Sequence, residues 1–286
     1  MNLTGRTFSL WTHNGALNSG PIFDAFAHSL MAAGHDVSYN NINADINVIW
    51  SVLWNGRMAR NENVWNQNKP TIVLEVGGIK RGETWKVGLN GINRDAYFGD
   101  YMGHDNSRSN LLALKIKPWR PDGEFILICG QHDKSLQWKN MPRMSNWLMQ
   151  TVFEIRKHTN RPIIFRPHPR CPLPHIEKEF KNVYRQEPRK IENTYDDFDM
   201  GFDNIFCTIS YSSNPGIHSV MAGVPSFVST HSLAYPVAND IDFLHDIENP
   251  VMPDRTQWLN NYAYTEWTVE EISQGLPLKR LTDKLF

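Results

Sequence analysis

Two arginines and a histidine alternate with prolines directly after a short apolar run in the second half of the chain. The stretch reads IFRPHPR and contains Arg166, His168 and Arg170. Proline excludes a helix here and keeps the backbone extended, and alternate side chains of an extended chain project on the same side. Two guanidinium groups and an imidazole directed at one place predict a site for an anion, most simply a phosphate.

A second polar loop, GQHDKS, follows the apolar run EFILIC. Gly130 would let the backbone approach a ligand closely. Gln131, Asp133 and Ser135 supply hydrogen-bond donors and acceptors beside it. An ordinary turn between a strand and the next element is the alternative interpretation.

A third polar segment precedes a predicted helix, NPGIHSVMAG. Ser212, Ser213 and Asn214 come directly before Pro215, a residue favoured at the first helical position. The amino end of a helix offers unbonded N–H groups and partial positive charge to a phosphate. Ser213 or Asn214 could instead act only as an N-cap. His218, one turn later, either faces the same site or packs in the interior.

The first half of the chain offers carboxylates for acid–base chemistry. Glu75 closes the apolar strand TIVLEV and is followed by two glycines and by Lys80 and Arg81. A carboxylate at this place is suited to general-base work on a hydroxyl, although a buried ion pair with an arginine is the alternative. The catalytic candidates are Glu75, Asp24 and Asp95. The predicted acceptor-binding residues are His13, Asn14, Lys80 and Arg81.

These residues need elements that bring them together. Strand and helix patterns alternate along both halves, and ligands of open α/β sheets bind beyond the carboxyl ends of the strands. We therefore expect an α/β protein with a Rossmann-like acceptor domain over residues 1–110, a polar connector over 103–124 and a donor domain over 121–253. Two helices are expected in residues 254–275, the second opened by a capping box of Thr268 and Glu271. The whole segment 254–286 is expected to pack back on the first domain.

Composition sets further limits. The chain has 286 residues, a formal net charge of −1 and a pI near 6.8, so the molecule as a whole does not attract polyanions. Three distant cysteines predict neither a disulfide scaffold nor a zinc site. The first residues of the sequence do not have the pattern of an export signal and the apolar runs are short, so we expect neither export nor a membrane-spanning segment. P-loop and GxGxxG patterns are absent, which argues against P-loop NTPases and the common dinucleotide enzymes. Metal-site spacings are absent too, so we expect no metal. The cysteine usage favours a cytoplasmic enzyme, which we expect to be monomeric or weakly dimeric.

Four segments in order, LEVGGIKRG, ILICGQHDKS, FRPHP and ISYSSNPGIHSVMAGVPSF, resemble GT-B glycosyltransferases of the capsule polysaccharide type. That group includes bacterial Kdo transferases and, more distantly, polysialyltransferases; the closing stretch WLNNYAYTEWTVEEISQG is also similar to its final helices. The resemblance implies two Rossmann-like domains facing each other across a cleft and a UDP- or CMP-linked nucleotide sugar as co-substrate. It implies that Gln131, His168, Ser212 and Ser213 bind the nucleotide and that Glu75 lies at the acceptor.

The acceptor is harder to predict. Short chains of this kind also resemble phage enzymes that glycosylate 5-hydroxymethylcytosine in DNA, in the host cytoplasm, after flipping the base. Basic residues that could follow DNA phosphates are Arg57, Arg60, Lys80, Arg81, Lys86, Arg94, Lys115, Lys117 and Arg120. Tryptophans that could stack on bases are Trp54, Trp65 and Trp85. DNA is the first expectation, and a bacterial surface or capsular glycan is the alternative acceptor. A non-catalytic nucleotide-sugar or phosphate binding protein is the third hypothesis.

Overall fold

The computed structural model describes residues 5–53, 59–65, 68–100, 104–120, 122–194 and 197–285. The chain divides into two compact units, Met1–Leu112 with Asn260–Phe286, and Ala113–Leu259. We refer to them as unit 1 and unit 2. The α/β class predicted from the sequence is confirmed, because each unit contains a six-stranded sheet in its described part. Among the described residues, no helix has the length and apolar character needed to cross a membrane.

Strands and helices alternate along much of the chain. The strands are β1 (Thr7–Leu10), β2 (Asp36–Tyr39), β3 (Ile46–Trp50), β4 (Thr71–Val76), β5 (Trp85–Leu89), β6 (Phe125–Cys129), β7 (Ile163–Arg166), β8 (Val183–Arg185), β9 (Ile205–Ser210), β10 (Ser226–Val228), β11 (Asn239–Asp240) and β12 (Glu266–Trp267). The α-helices are α1 (Gly20–Ala32), α2 (Arg60–Trp65), α3 (Ser107–Leu111), α4 (Met144–Arg156), α5 (Asn214–Met221), α6 (Thr256–Tyr262), α7 (Val269–Ser273) and α8 (Leu276–Leu285).

Unit 1 has a mixed sheet in the order β12-β5-β4-β3-β1-β2. The strands β1 to β4 are parallel, whereas β5 runs antiparallel to β4 and β12 antiparallel to β5. Helix α1 buries Ile22, Phe23 and Phe26 in the same apolar core as β1 and β3. The sequence analysis assigns no strand to residues 85–89, which form β5 in the structure.

Unit 2 has an entirely parallel sheet in the order β11-β10-β9-β6-β7-β8. The sequence of a strand buried on both faces is a continuous apolar run. Strands β6, β7 and β9 have such sequences and could therefore be predicted. The stretch IEKEFKNVYR forms a short 3-10 helix, Ile176–Glu179, followed by β8. Val183 of β8 is buried in the core while Tyr184 is exposed, the alternation of a strand.

The segment predicted as a polar connector, residues 103–124, does not behave as a solvated linker in its first part. It contains α3, in which Arg108 is buried. The Arg108 guanidinium donates to both carboxylate oxygens of Glu271 at 2.6 and 3.0 Å and to the carbonyl oxygens of Ala263 and Glu266. Charged residues are therefore part of the interior of unit 1, where the polar composition suggested a surface.

The C-terminal segment completes unit 1. The predicted capping box is confirmed, since the Thr268 hydroxyl accepts from the Glu271 backbone N–H and the Glu271 carboxylate accepts from that of Thr268. Beyond the two predicted helices, β12 joins the sheet and α8 adds Leu278, Leu281 and Leu285 to the core.

Candidate functional site

Three polar loops of unit 2 lie at one edge of its sheet. They follow β7, β6 and β9, which are neighbours in the sheet and run parallel. The carboxyl ends of parallel strands meet at the same edge, which is where ligands of such sheets bind. The structure thereby brings together the residues around Gln131, His168 and Ser212.

Gln131 connects two of these loops. Its side chain is 5 % exposed, and its Oε1 accepts hydrogen bonds from both the backbone N–H and the hydroxyl of Ser212, each at 3.0 Å. Its Nε2 donates to the Ser135 hydroxyl at 3.0 Å. A buried amide with both ends satisfied holds its neighbours in one arrangement. Gln131 therefore fixes the loop after β6 against the loop after β9.

Gly130 allows the loop after β7 to approach. Its backbone N–H donates to the Arg166 carbonyl at 2.8 Å, and a β-carbon at Gly130 would lie 3.1 Å from the backbone nitrogen of His168. The Nδ1 atom of His168 accepts the backbone N–H of Arg170 at 3.1 Å. A ring nitrogen that accepts a hydrogen bond carries no proton, so the proton of neutral His168 is on Nε2.

The two arginines of IFRPHPR lie in different surroundings. Arg166 is 7 % exposed and donates to Gln186 Oε1 at 3.0 and 2.6 Å and to the Gly201 carbonyl at 2.9 Å, while its Nη1 is buried without a partner among the described residues. Arg170 is exposed. The expectation that extended backbone continues through Arg170 is wrong, because the Cys171 N–H bonds the His168 carbonyl at 2.9 Å and closes a turn. Their roles as anion ligands stay predictions.

The helix after β9 begins as the sequence predicts, with Pro215 in the first turn of α5. Ser213 has extended backbone at the N-cap position, but within the described part of the chain its side chain makes no capping hydrogen bond. The hydroxyls of Ser213 and Ser210 are both buried, and neither has a hydrogen-bond partner in that part. A β-carbon on Gly216 would lie 2.7 Å from the Ser210 hydroxyl, so the first turn of α5 packs tightly on the end of β9. Two buried hydroxyl groups thus lie by a helix N-terminus.

The remaining residues predicted to bind the nucleotide-sugar donor lie at or near the same edge of the unit 2 sheet. Asp133 lies in the loop after β6 and its side chain is 45 % exposed. Asn214 is the first residue of α5, and His218 lies one turn into it, partly buried. The roles of all three in donor binding remain predictions.

In unit 1, Glu75 belongs to a row of three charged residues across three strands. Glu75 on β4 and Glu266 on β12 each pair directly with Lys86 on β5. Directly opposed residues project on the same face with β-carbons about 4.5–5.5 Å apart. Lys86 is 4 % exposed, and burial lowers its pKa while the two carboxylates raise it. The charged residue facing Glu75 is therefore Lys86. The sequence analysis named Lys86 among the residues that could follow DNA phosphates, and this prediction is wrong because Lys86 is buried.

Glu266 holds the glycine loop that follows Glu75. It is fully buried, and its carboxylate accepts hydrogen bonds from the backbone N–H groups of Gly78 and Ile79 at 2.7 and 2.9 Å. It also accepts from the Thr84 hydroxyl at 2.8 Å and from the Tyr262 hydroxyl at 3.4 Å. Glu266 was missed from the sequence, since no local pattern connects the segment YTEW to a glycine loop so far earlier in the chain.

The other predicted acceptor-side residues divide between two edges of the sheet. His13 is exposed and Asn14 buried in the loop after β1, and Asp24 is exposed on α1. Lys80 and Arg81 lie in a turn closed by the Thr84 N–H donating to the Lys80 carbonyl at 2.9 Å. Asp95 follows β5, which runs antiparallel to β4. It therefore lies on the side of the sheet where β4 begins, and there the backbone N–H of Asn90 donates to the Thr71 carbonyl. The structure does not bring Asp95 to Glu75.

Metal-ligating side chains do not gather in the described ranges: no group of three or more histidines, cysteines, aspartates or glutamates is arranged to hold an ion. In the acidic segment DDFD (196–199), Asp196 lies outside those ranges, and Asp199 pairs with Arg189.

No protein-family profile matches the sequence, and no curated protein does. Solved structures do match. Thermosulfurimonas dismutans KpsC, beta Kdo 2,7 transferase, is 16% identical with a TM-score of 0.49, covering 96% of this chain and 99% of that one. Thermosulfurimonas dismutans KpsC, beta Kdo 2,4 transferase, is 11% identical with a TM-score of 0.50, covering 95% of this chain and 98% of that one. The second similarity establishes the fold, a GT-B-like α/β arrangement with two mostly parallel sheets.

Proposed function

We propose that this chain is a glycosyltransferase that moves a sugar from a nucleotide-sugar donor to a hydroxyl of a bacterial surface or capsular glycan. The observation that carries the proposal is the bonding of Gln131 to the backbone and hydroxyl of Ser212. It holds two loops at the carboxyl edge of a parallel sheet, beside the N-terminus of α5. The fold similarity to a structure named beta Kdo 2,4 transferase adds support for sugar transfer and for a glycan acceptor.

On the donor side, the leaving phosphate binds at the first turn of α5. The unbonded N–H groups and dipole of that helix favour an anion, and the buried Ser213 hydroxyl has no partner among the described residues. His168 adds an Nε2–H donor whose ring is oriented by the Arg170 backbone. Positive partial charge from these groups stabilises the negative charge that develops on the leaving phosphate.

On the acceptor side, Glu75 accepts the proton of the attacking hydroxyl. Its Oε1 accepts the N–H of Val76 at 2.8 Å, which orients the carboxylate at the end of β4. Lys86 and the buried Glu266 complete the charged row next to it. Asp24 is the second candidate for this role, since it lies exposed on α1.

The DNA acceptor gains no support. Lys86 is buried, Arg94 lies with Asp95 at the amino edge of β4, and Trp85 is only partly exposed. Trp54 and Arg57 lie outside the described residues. The set of basic and aromatic residues that was expected to bind DNA is therefore incomplete. DNA is included in the test below only as a comparison substrate.

A thermal-shift titration with CMP-, UDP- and GDP-sugars tests the proposal. A ligand at a hundred times its dissociation constant stabilises the native state by about 2.7 kcal/mol, and we expect this from one nucleotide class. Gln131→Ala should abolish the shift, whereas Gln150→Ala, an exposed glutamine on α4, should leave it unchanged.

The selected donor is then incubated with capsular oligosaccharides and, separately, with hydroxymethylated and plain duplex DNA. Sugar transfer to an oligosaccharide supports the proposal. Transfer to hydroxymethylated DNA alone would overturn the acceptor, binding without any transfer would indicate a binding protein, and no stabilisation by any nucleotide would overturn the donor site.

A further inference from the structure

His132 follows Gln131 in the loop after β6 and was not among the residues predicted to bind the donor. Its ring lies beside that of His168, with ring centroids 5.1 Å apart and planes inclined by 60°. The two histidines come from neighbouring parallel strands, β6 and β7. Both imidazoles are therefore at the carboxyl edge, in loops that Gly130 allows to touch.

The two rings are oriented by the same backbone arrangement. The Lys134 N–H donates to Nδ1 of His132 at 3.1 Å, as the Arg170 N–H donates to Nδ1 of His168 at 3.1 Å. Each Nδ1 lone pair is thereby used, which leaves the proton of each neutral ring on Nε2. Asp133 Oδ1 lies 3.6 Å from His132 Nδ1 and could pair only with a protonated ring. The shorter contact to Lys134 favours the neutral form, and burial lowers the pKa of His132.

His132 is accessible to a ligand. Its side chain is 24 % exposed, and within the described ranges no protein acceptor is seen for its Nε2–H. A polar N–H held in a fixed direction at a sheet edge, with its other nitrogen bonded to backbone, is a preorganised donor. The hydrogen bond that the ring does accept comes from the neighbouring backbone of Lys134, so it orients the imidazole without tying it to the core of unit 2.

We propose that His132 contacts the donor directly, donating its Nε2–H to an anionic oxygen of the nucleotide beside the one bound by His168. This inference rests on the proposed function, because it assumes that a nucleotide occupies this edge. His132 would thereby be a second uncharged hydrogen-bond donor in the site, and both histidines would bind anionic oxygens of the same nucleotide.

The chain provides a matched control pair. His158 and His245 also face each other, with ring centroids 6.3 Å apart. His158 lies just beyond the end of α4 and before β7 begins, which places this pair at the amino edge of the same sheet.

The experiment measures the dissociation constants of CMP, UDP and GDP by calorimetry for the full chain and its variants. Loss of a hydrogen bond to a charged group should weaken binding about tenfold to a hundredfold in His132→Ala. His132→Gln keeps an N–H donor and should recover part of the affinity. His245→Ala should bind as the wild type does.

Imidazole ¹⁵N spectra of the wild type give a readout that needs no variant. We expect the free protein to show His132 protonated on Nε2, and added nucleotide to move that nitrogen resonance while His158 and His245 stay unchanged. Wild-type affinity in His132→Ala, or an unmoved His132 resonance in a protein that binds nucleotide, overturns this inference alone. A wild type that binds none of the three nucleotides overturns the proposed function with it.

Discussion

The carboxylate of Glu266 occupies the space that a side chain on Gly77 would need. A β-carbon on Gly77 would lie 2.3 Å from Glu266 Oε2 and 2.3 Å from the carbonyl oxygen of Thr84. The same carboxylate accepts the N–H groups of the next two residues, Gly78 and Ile79. The loop after the proposed base is therefore closed by a residue of β12.

Substitution of Gly77 should destabilise unit 1. Gly77→Ala forces either the Glu266 carboxylate or the Thr84 backbone to move, and overpacking of this kind costs about 1–3 kcal/mol. Urea unfolding measures the change. Gly20→Ala is the control, because none of the described residues lies within 4 Å of a β-carbon there, and it should be neutral or stabilising by up to about 1 kcal/mol. Equal unfolding midpoints for Gly77→Ala and the wild type would contradict the packing described.

Removal of the Lys86 charge should also destabilise unit 1. Lys86→Met keeps the apolar stem but removes the cation that lies on the strand between Glu75 and Glu266. We expect a loss of about 0.5–3 kcal/mol, the usual range for a destabilising substitution. The measurement is again the free energy of unfolding in urea. In the double variant Lys86→Met/Glu266→Gln the two losses should fail to add by about 0.5–3 kcal/mol. Strict additivity would show that the row is not a coupled unit.

Glu75→Gln should lower turnover without weakening donor binding. A general base contributes about 10²–10⁴-fold to the rate, and the proposed donor contacts are made by other residues. Initial rates of sugar transfer and nucleotide calorimetry separate the two effects. Asp95→Asn should retain full activity because Asp95 lies at the amino edge of β4. Full activity in Glu75→Gln combined with loss in Asp24→Asn would assign the base to Asp24.

Stability should fall in mild acid, in part through His132. Burial lowers the pKa of this histidine from its ordinary value of 6.5, so below pH 6.5 the unfolded chain binds a proton that the folded chain resists. The free energy of unfolding therefore decreases as the pH falls below 6.5. His132→Asn should make this slope shallower. Part of it should remain, since burial also lowers the pKa of His35 and His104; an unchanged slope would show that His132 is not protected from protonation.

The sequence was most informative where structure is local. Strands β6, β7 and β9 are apolar runs that end in polar loops, and parallel order alone places those loops at one edge. Gln131, His168 and Ser212 could therefore be predicted to lie together. The capping box of Thr268 and Glu271 was equally predictable, because both partners lie within one helical turn.

Contacts between distant segments were not predictable from the sequence. The sequence around Lys86 suggests a surface lysine, because its burial depends on the position of β5 between β4 and β12. Strand β12 has only two residues, which are too few to give a recognisable sequence pattern. The error at Arg170, by contrast, was local: His168 begins a turn whose second position is Pro169, where proline is favoured, and the turn ends the extended stretch. The local pattern of IFRPHPR contained no sign that Arg166 would face Gln186.

The placement of β12 has a consequence for biosynthesis. During translation every residue of unit 2 leaves the ribosome before Glu266 does, whereas β5 of unit 1 emerges long before its edge partner. Pairing over so great a separation carries a high entropic cost of loop closure and is slow. The domain that comes second in the chain is thus the first that can finish folding, and nascent unit 1 keeps an open sheet edge until β12 has emerged.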